Sequence, residues 1–326
     1  GCVKEHLLEA VKPYGETVML AYGGGSIKTN GIYQEVMDVL KLAGKQVIEF
    51  SGIMPNPTYS KVMEGKKVVQ ENQVDLILAV GGGSVMDCSK AISMAAATDK
   101  DVWEEYWIKK GEIDFEPVPV GVIVTVVGTG SEVNGEGVIT HEEQKIKTSR
   151  NYPRCNPVFA MMDPKYTYTV SPLQTAAGGF DTLSHVMETY FSAPDEDNLS
   201  DAISEALMRS IIENLPVAIR EPENYEARSN LMWASTMAEI GIIKLGKQCD
   251  FEAHMIEHQM GAYTDCNHGM GLGVIHPAYY RRICRDGIKK FVKFAVNVWG
   301  MSPDGGDEEE LAFGGIDALQ AFIQEI

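Results

Sequence analysis

The sequence predicts an α/β fold in two parts: a domain over residues 1–170 built on a parallel sheet, followed by an all-helical domain over 171–326. Three observations carry that reading. Up to about residue 170, short β-rich runs alternate with helical stretches, the order of strands joined by crossover helices. Several of those runs end in glycine clusters. From Ser171 onward the strand signal disappears and helical periodicity takes over.

Thr17-Val18-Met19-Leu20-Ala21-Tyr22 reads as a strand that runs into Gly23-Gly24-Gly25-Ser26. A helix over 32–43 follows, and Gly44 supplies a natural stop. Gln46-Val47-Ile48-Glu49-Phe50 is the next strand, and Pro55-Asn56-Pro57-Thr58 opens a helix that ends before Asp75. Leu76-Ile77-Leu78-Ala79-Val80 is wholly apolar, as a strand covered on both faces should be, and it meets Gly81-Gly82-Gly83-Ser84. Residues 120–127 form a further buried strand ending at Gly128 and Gly130. In the second part, 173–191, 198–219 and 225–241 carry helical periodicity, and the acidic stretch 304–309 reads as a solvated loop and helix start. Gly1 opens in a helix-like segment and 317–326 stop in mid-helix, so the chain is expected to be truncated at both ends.

The 28 Lys and Arg stand against 46 Asp and Glu, a net charge of −18. This argues against nucleic acid or an anionic membrane surface as a partner, because both are bound by clustered cations. No apolar run approaches the ~18 residues that span a bilayer, and the N-terminus lacks the regions of a signal peptide. The expectation is a soluble, cytoplasmic protein. The six cysteines are scattered without CxxC spacing and are read as reduced thiols.

A strand followed by glycines and a helix start suits a phosphate, since glycine lets the backbone approach and the first helical N–H groups point at the anion. Gly81-Gly82-Gly83-Ser84 is the strongest such turn, a tight turn without a ligand being the alternative. Thr125-Val126-Val127-Gly128-Thr129-Gly130-Ser131-Glu132 adds hydroxyls and backbone donors at another strand end, where ligands of open parallel sheets bind. The first part is therefore a candidate dinucleotide-binding domain. Its first turn, Gly24-Gly25-Ser26 with Lys28, is placed for an adenosine ribose. Enzymes selective for NAD usually set a carboxylate at the 2′-hydroxyl, and no acid occurs between Tyr22 and Glu35, so NADP(H) is favoured with NAD(H) possible.

In the helical part, Asp181 and His185 are four residues apart and share one helix face, as do His254 and His258; His268 follows in a His-Gly pair. Imidazoles with one carboxylate suit a divalent first-row ion such as iron or zinc rather than calcium or magnesium, which makes this a candidate metal-binding domain.

Gly81-Gly82-Gly83-Ser84 with Asp87 and Lys90, Gly128-Thr129-Gly130-Ser131-Glu132, Asp181-x-x-x-His185 and His254-x-x-x-His258-x(9)-His268 together resemble the iron-containing alcohol dehydrogenases. Asn156-Pro157-Val158-Phe159-Ala160, Asp163-Pro164-Lys165-Tyr166-Thr167-Tyr168-Thr169 and Glu221-Pro222-Glu223-Asn224-Tyr225 are more similar still to the butanol dehydrogenase branch of NADPH-dependent aldehyde reductases. The resemblance implies that Asp181, His185, His254 and His268 hold one Fe2+ or Zn2+, with His258 beside it as the catalytic proton relay. It implies coenzyme contacts for Asn56, Gly83, Ser84, Thr125, Thr129, Val138 and Lys147, with Gly82 in the same phosphate turn and Gly24, Gly25 and Ser26 near the adenosine end. Lys147 could equally be a solvated surface charge. The family's Thr-Thr or Pro-Thr-Thr entry to the third glycine segment reads Val124-Thr125-Val126 here. The activity implied is reversible hydride transfer to a small aldehyde or from a small alcohol, in a homodimer. The alternatives are a glycerol-dehydrogenase-like or dehydroquinate-synthase-like enzyme of the same superfamily, or a metal- and nucleotide-binding protein without redox activity. Trp103, Trp107 and Phe251 could line an apolar pocket or be core residues.

Overall fold

Alternation of side chains along a strand builds the first unit around one parallel sheet. Its strands are β1 (Thr17–Tyr22), β2 (Gln46–Phe50), β3 (Leu76–Gly81) and β4 (Val120–Val124), with β5 (Glu136–His141) and β6 (Ile146–Asn151) forming a separate antiparallel hairpin and β7 (Phe159–Met162) closing the sheet in the order β2-β1-β3-β4-β7. Val18, Leu20, Leu76, Leu78, Val80 and Ile123 face one way and join Val36 and Leu40 in one core. Met19, Ala21, Ile77, Ala79, Val120 and Val122 face the other and join Val62, Val69, Ala91 and Ile92 in a second core. Both faces of β3 are thus covered, which is why its run is wholly apolar. The computed structural model describes residues 1–303 and 307–326. It divides into one unit of Gly1–Thr169 with Ala262–Asp265, and another of Val170–Gly261 with Cys266–Ile326.

Besides two single-turn helices, α1 (Leu8–Val11) and α2 (Ser26–Thr29), the first unit carries the crossover helices α3 (Ile32–Leu42), α4 (Tyr59–Asn72) and α5 (Gly83–Ala96). The chain leaves β1 for β2 on one side and returns to β3 on the other, so strand order reverses between β1 and β3. At such a reversal the loops leaving the two strands diverge and open a crevice at their carboxyl ends. Those loops are the first two glycine turns.

The strand expected over 120–127 ends at Val124: Thr125 N–H still reaches the Gly81 carbonyl at 3.0 Å, but Val126 turns off over Gly82. The hairpin β5–β6 and the edge strand β7 are additions to the sequence reading. Trp103 and Trp107 are core residues whose indole N–H groups reach Gln144 and the Gly137 carbonyl.

The second unit is helical: α6 (Pro172–Phe191), α7 (Leu199–Arg220), α8 (Tyr225–Glu239), α9 (Glu252–Thr264), α10 (His268–Ile283), α11 (Ile288–Lys293) and α12 (Glu308–Glu325). Ser171, Asn198, Asn224 and Asn267 each accept a hydrogen bond from the N–H three residues on, fixing where α6, α7, α8 and α10 begin. Of the acidic stretch read as a loop and helix start, 304–306 lie outside the described residues, while Asp307 caps α12. No described helix is long and apolar enough to cross a membrane.

Helices α6 and α10 meet through a glycine. A methyl group on Gly269 would stand 2.1 Å from the Ala177 carbonyl oxygen, so only hydrogen fits there. Gly269→Ala should lower stability by ~1–3 kcal/mol in urea denaturation, because backbone must move to admit it. Gly273→Ala in the same helix, whose methyl meets nothing nearer than 3.5 Å, should hold stability or raise it by up to ~1 kcal/mol. Equal effects of the two would show that the α6–α10 approach is not limiting.

Candidate active site

Helical spacing places Asp181 and His185 one turn apart on α6, and the Asn267 cap places His268 at the first position of α10. His254 comes from the first turn of α9. The Asp181 carboxylate is the hub of this group. Its Oδ1 lies 3.8 Å from His185 Nδ1, 3.6 Å from His254 Nε2 and 3.4 Å from His268 Nε2. The rings of His185 and His254 stack at 4.5 Å.

Asp181 Oδ1, His185 Nδ1 and His254 Nε2 are buried and have no hydrogen-bond partner among the described residues. A buried polar atom left so costs about 1–3 kcal/mol, and here three of them converge on one point. A divalent ion accepting their lone pairs removes that cost. The donor set of imidazole nitrogens and one carboxylate oxygen fits iron or zinc. Burial pushes the Asp181 carboxyl up, but His185, His268 and His254 outweigh it and hold the group well below the usual carboxylate range. Burial pushes His254 down, while Asp181 and Glu188 on either side carry it up to about 10. Protons and a metal ion therefore compete for the same lone pairs.

His258, one turn beyond His254, is buried with its ring 5.6 Å from that of His268. It stands beside the Asp181 group rather than in it. Phe251 sets its ring edge-on to His254 at 5.4 Å. Ser184 is bonded to His276 Nε2 at 2.6 Å, and burial pushes His276 down to about 3, leaving a neutral imidazole on α6's packed side near Asp181 and His185.

Two residues absent from the sequence reading complete the group. Buried Glu188 pairs with His254 Nδ1, and buried Glu257 pairs with His268 Nδ1. The signal for the first was available: Glu188 is two helical turns after Asp181 and so shares its face. Glu257 had none, since its partner lies eleven residues on and in another helix.

The expected coenzyme residues fall on the loops leaving the sheet's carboxyl edge and on the hairpin. Gly25, at φ +102°, turns the chain out of β1 into α2. Gly82 and Gly83 begin α5, and a methyl on Gly83 would stand 2.4 Å from the Thr129 side chain, so the second and third glycine segments touch. Ser84 Oγ donates to the Pro55 carbonyl beside Asn56, whose Nδ2 donates to Asp265 Oδ1 at 2.7 Å. Val138 N–H donates to Asp87 Oδ2 at 3.1 Å. Lys147, on β6 opposite Thr140, is buried, so it is not a solvated surface charge. Lys90, wholly buried, donates to the carbonyls of Ser131 and Asn134 at 2.9 and 3.1 Å and ties the third glycine segment to α5.

At the first turn, Lys28 Nζ reaches Glu49 Oε2 at 3.0 Å, and the hydroxyls of Tyr22 and Tyr33 also donate to Glu49. These three donors hold the Glu49 carboxyl down at about 2. The stretch between Tyr22 and Glu35 carries no acid in sequence, yet β2 brings one alongside it, because Glu49 pairs with Leu20 across the β1–β2 ladder.

A family model for iron-containing alcohol dehydrogenase matches residues 2–164, and one for the C-terminal part of the same family matches 175–326. The NADH-dependent butanol dehydrogenase B of Clostridium acetobutylicum is 40% identical over 295 residues, covering 90% of this chain and 75% of that protein. The NADPH-dependent aldehyde reductase YqhD of Escherichia coli is 36% identical, over 96% of this chain and 80% of its own. The crystal structure of NADH-dependent butanol dehydrogenase A from Thermotoga maritima superposes with a TM-score of 0.94 at 35% identity, covering 99% of this chain and 80% of that one. With the glycine turns in one matched part and the Asp181 group in the other, this chain belongs to the iron-containing alcohol dehydrogenase family.

Proposed function

We propose that this enzyme transfers hydride reversibly between NADP(H), with NAD(H) also accepted, and a small aldehyde or alcohol, using one Fe2+ or Zn2+ per chain. The observation that carries the reading is the convergence of unpartnered lone pairs from Asp181, His185 and His254, with His268 Nε2 beside them. When bound, the ion supplies Lewis acidity at the substrate oxygen and the coenzyme supplies or takes the hydride. Asp181, His185, His254 and His268 would hold the ion. His258 carries the alcohol proton toward solvent on its imidazole. The turns at Gly24, Gly25, Ser26, Gly82, Gly83 and Ser84, with Asn56, Thr125, Thr129, Val138 and Lys147, bind and orient the coenzyme. The similarity to butanol dehydrogenases and an aldehyde reductase supports short-chain aldehydes as substrates.

Coenzyme choice rests on Lys28. Glu49 is already engaged by three donors, so it is poorly placed to accept from a ribose 2′-hydroxyl, whereas the Lys28 ammonium can turn to a 2′-phosphate. Lys28→Ala should lower kcat/KM for NADPH about tenfold, the equivalent of ~1.4 kcal/mol, and leave that for NADH nearly unchanged. A ratio that does not move would place the phosphate elsewhere.

Chelator treatment should abolish butanal reduction, and added Fe2+ or Zn2+ should restore it. Asp181→Ala should lose the ion in elemental analysis and lower activity ~100-fold or more, with NADPH binding followed by fluorescence retained. Full activity in metal-free protein would defeat the assignment.

A further inference from the structure

Two of the three imidazoles around Asp181 are backed by a buried carboxylate on the ring nitrogen that faces away from it. His254 Nδ1 pairs with Glu188 and His268 Nδ1 with Glu257, while each Nε2 points toward Asp181 Oδ1. A carboxylate accepts hydrogen bonds and donates none when ionised, so each of these pairs fixes the proton on Nδ1. The lone pair is then forced onto Nε2, the only nitrogen placed to bind an ion. Glu188 also accepts from the backbone N–H groups of Ala253 at 2.8 Å and His254 at 3.2 Å. That contact caps the first turn of α9 from a residue on α6, so the helix bearing Asp181 and His185 sets the position of the helix bearing His254. His185, by contrast, is held by ring contacts with His254 and Phe251.

We propose that Glu188 and Glu257 are positioning residues of the metal centre: they hold His254 and His268 in the Nδ1–H tautomer and aim their Nε2 lone pairs at the ion, and Glu188 also locks α9 in register with α6. Carboxylates of this kind raise ligand basicity and pre-organise a cage before the ion arrives, and losing one typically weakens metal binding 10–100-fold. The inference rests on the reading of Asp181, His185, His254 and His268 as ligands.

Glutamine has nearly the shape of glutamate but is neutral: its one amide oxygen accepts from His Nδ1–H more weakly and its N–H₂ is a donor, while leucine offers no acceptor at all. Glu188→Gln and Glu257→Gln should therefore each raise the zinc dissociation constant 10–100-fold in chelator competition. Each should also alter the visible absorption of the Co2+-substituted protein, a readout of ligand geometry that general loosening of the fold would not shift. Glu252→Gln, on the same helix but bonded to Tyr279 at 2.8 Å, should leave both unchanged. NADPH affinity and far-UV circular dichroism report that each variant is folded; if Glu188→Gln is not, through loss of the α9 cap, Glu257→Gln carries the test. Wild-type zinc affinity and cobalt spectra in folded Glu257→Gln and Glu257→Leu alike would overturn the positioning role. Failure of the wild-type chain itself to bind zinc, iron or cobalt would overturn the ligand assignment instead.

Discussion

A single buried carboxylate with too many neighbours organises the helical unit. Asp181 is nearly closed off from water, and an ionised carboxylate in that setting has to be compensated. Three histidines from three helices surround it, none close enough or well enough aligned to complete a hydrogen bond with Oδ1. Folding brings these groups together and leaves the lone pairs of Asp181, His185 and His254 facing one another, an arrangement that is unfavourable alone and favourable around a cation. The carboxylates of Glu188 and Glu257 extend the same logic one layer out. At this point α6 and α10 approach to backbone distance, Gly269 against the Ala177 carbonyl.

The other unit is organised by its parallel sheet and the loops that leave it. Its five parallel strands end on one edge, and the reversal of strand order between β1 and β3 opens the space between the first two glycine turns. The third glycine segment is held against the second by the absence of a side chain at Gly83 and by the buried Lys90 ammonium, which binds carbonyl oxygens of that segment. Asp87 completes the clamp by accepting from Ser131 and from the Val138 N–H of the hairpin. The Gly-Gly-Gly-Ser-x-x-Asp-x-x-Lys string is thus one device: its glycines let the neighbouring loop approach closely, and its Asp and Lys hold that loop in place.

Much of this was legible in the chain itself. The apolar runs of β1 and β3, the glycine turns after them, and the i,i+4 pairs Asp181/His185 and His254/His258 are local patterns, readable because strand and helix periodicity act over a few residues. The hairpin β5–β6 is not legible although burial alternates over residues 136–139, because its polar residues resemble a loop until the second strand is paired with it. The edge strand β7 has only four residues, too few for periodicity to register.

Sequence alone determined the α/β-then-helical order, the three glycine turns and the imidazole and carboxylate residue types that gather at Asp181, since each depends on neighbours close along the chain. Tertiary structure decided the rest. It put Asp181 at the hub, set His258 beside the cluster, supplied Glu188 and Glu257 as the backing of two imidazoles, and delivered Glu49 to a turn whose own stretch holds no acid. Those relations are distances between elements far apart in the chain, fixed by strand register and helix packing, and no local pattern encodes them.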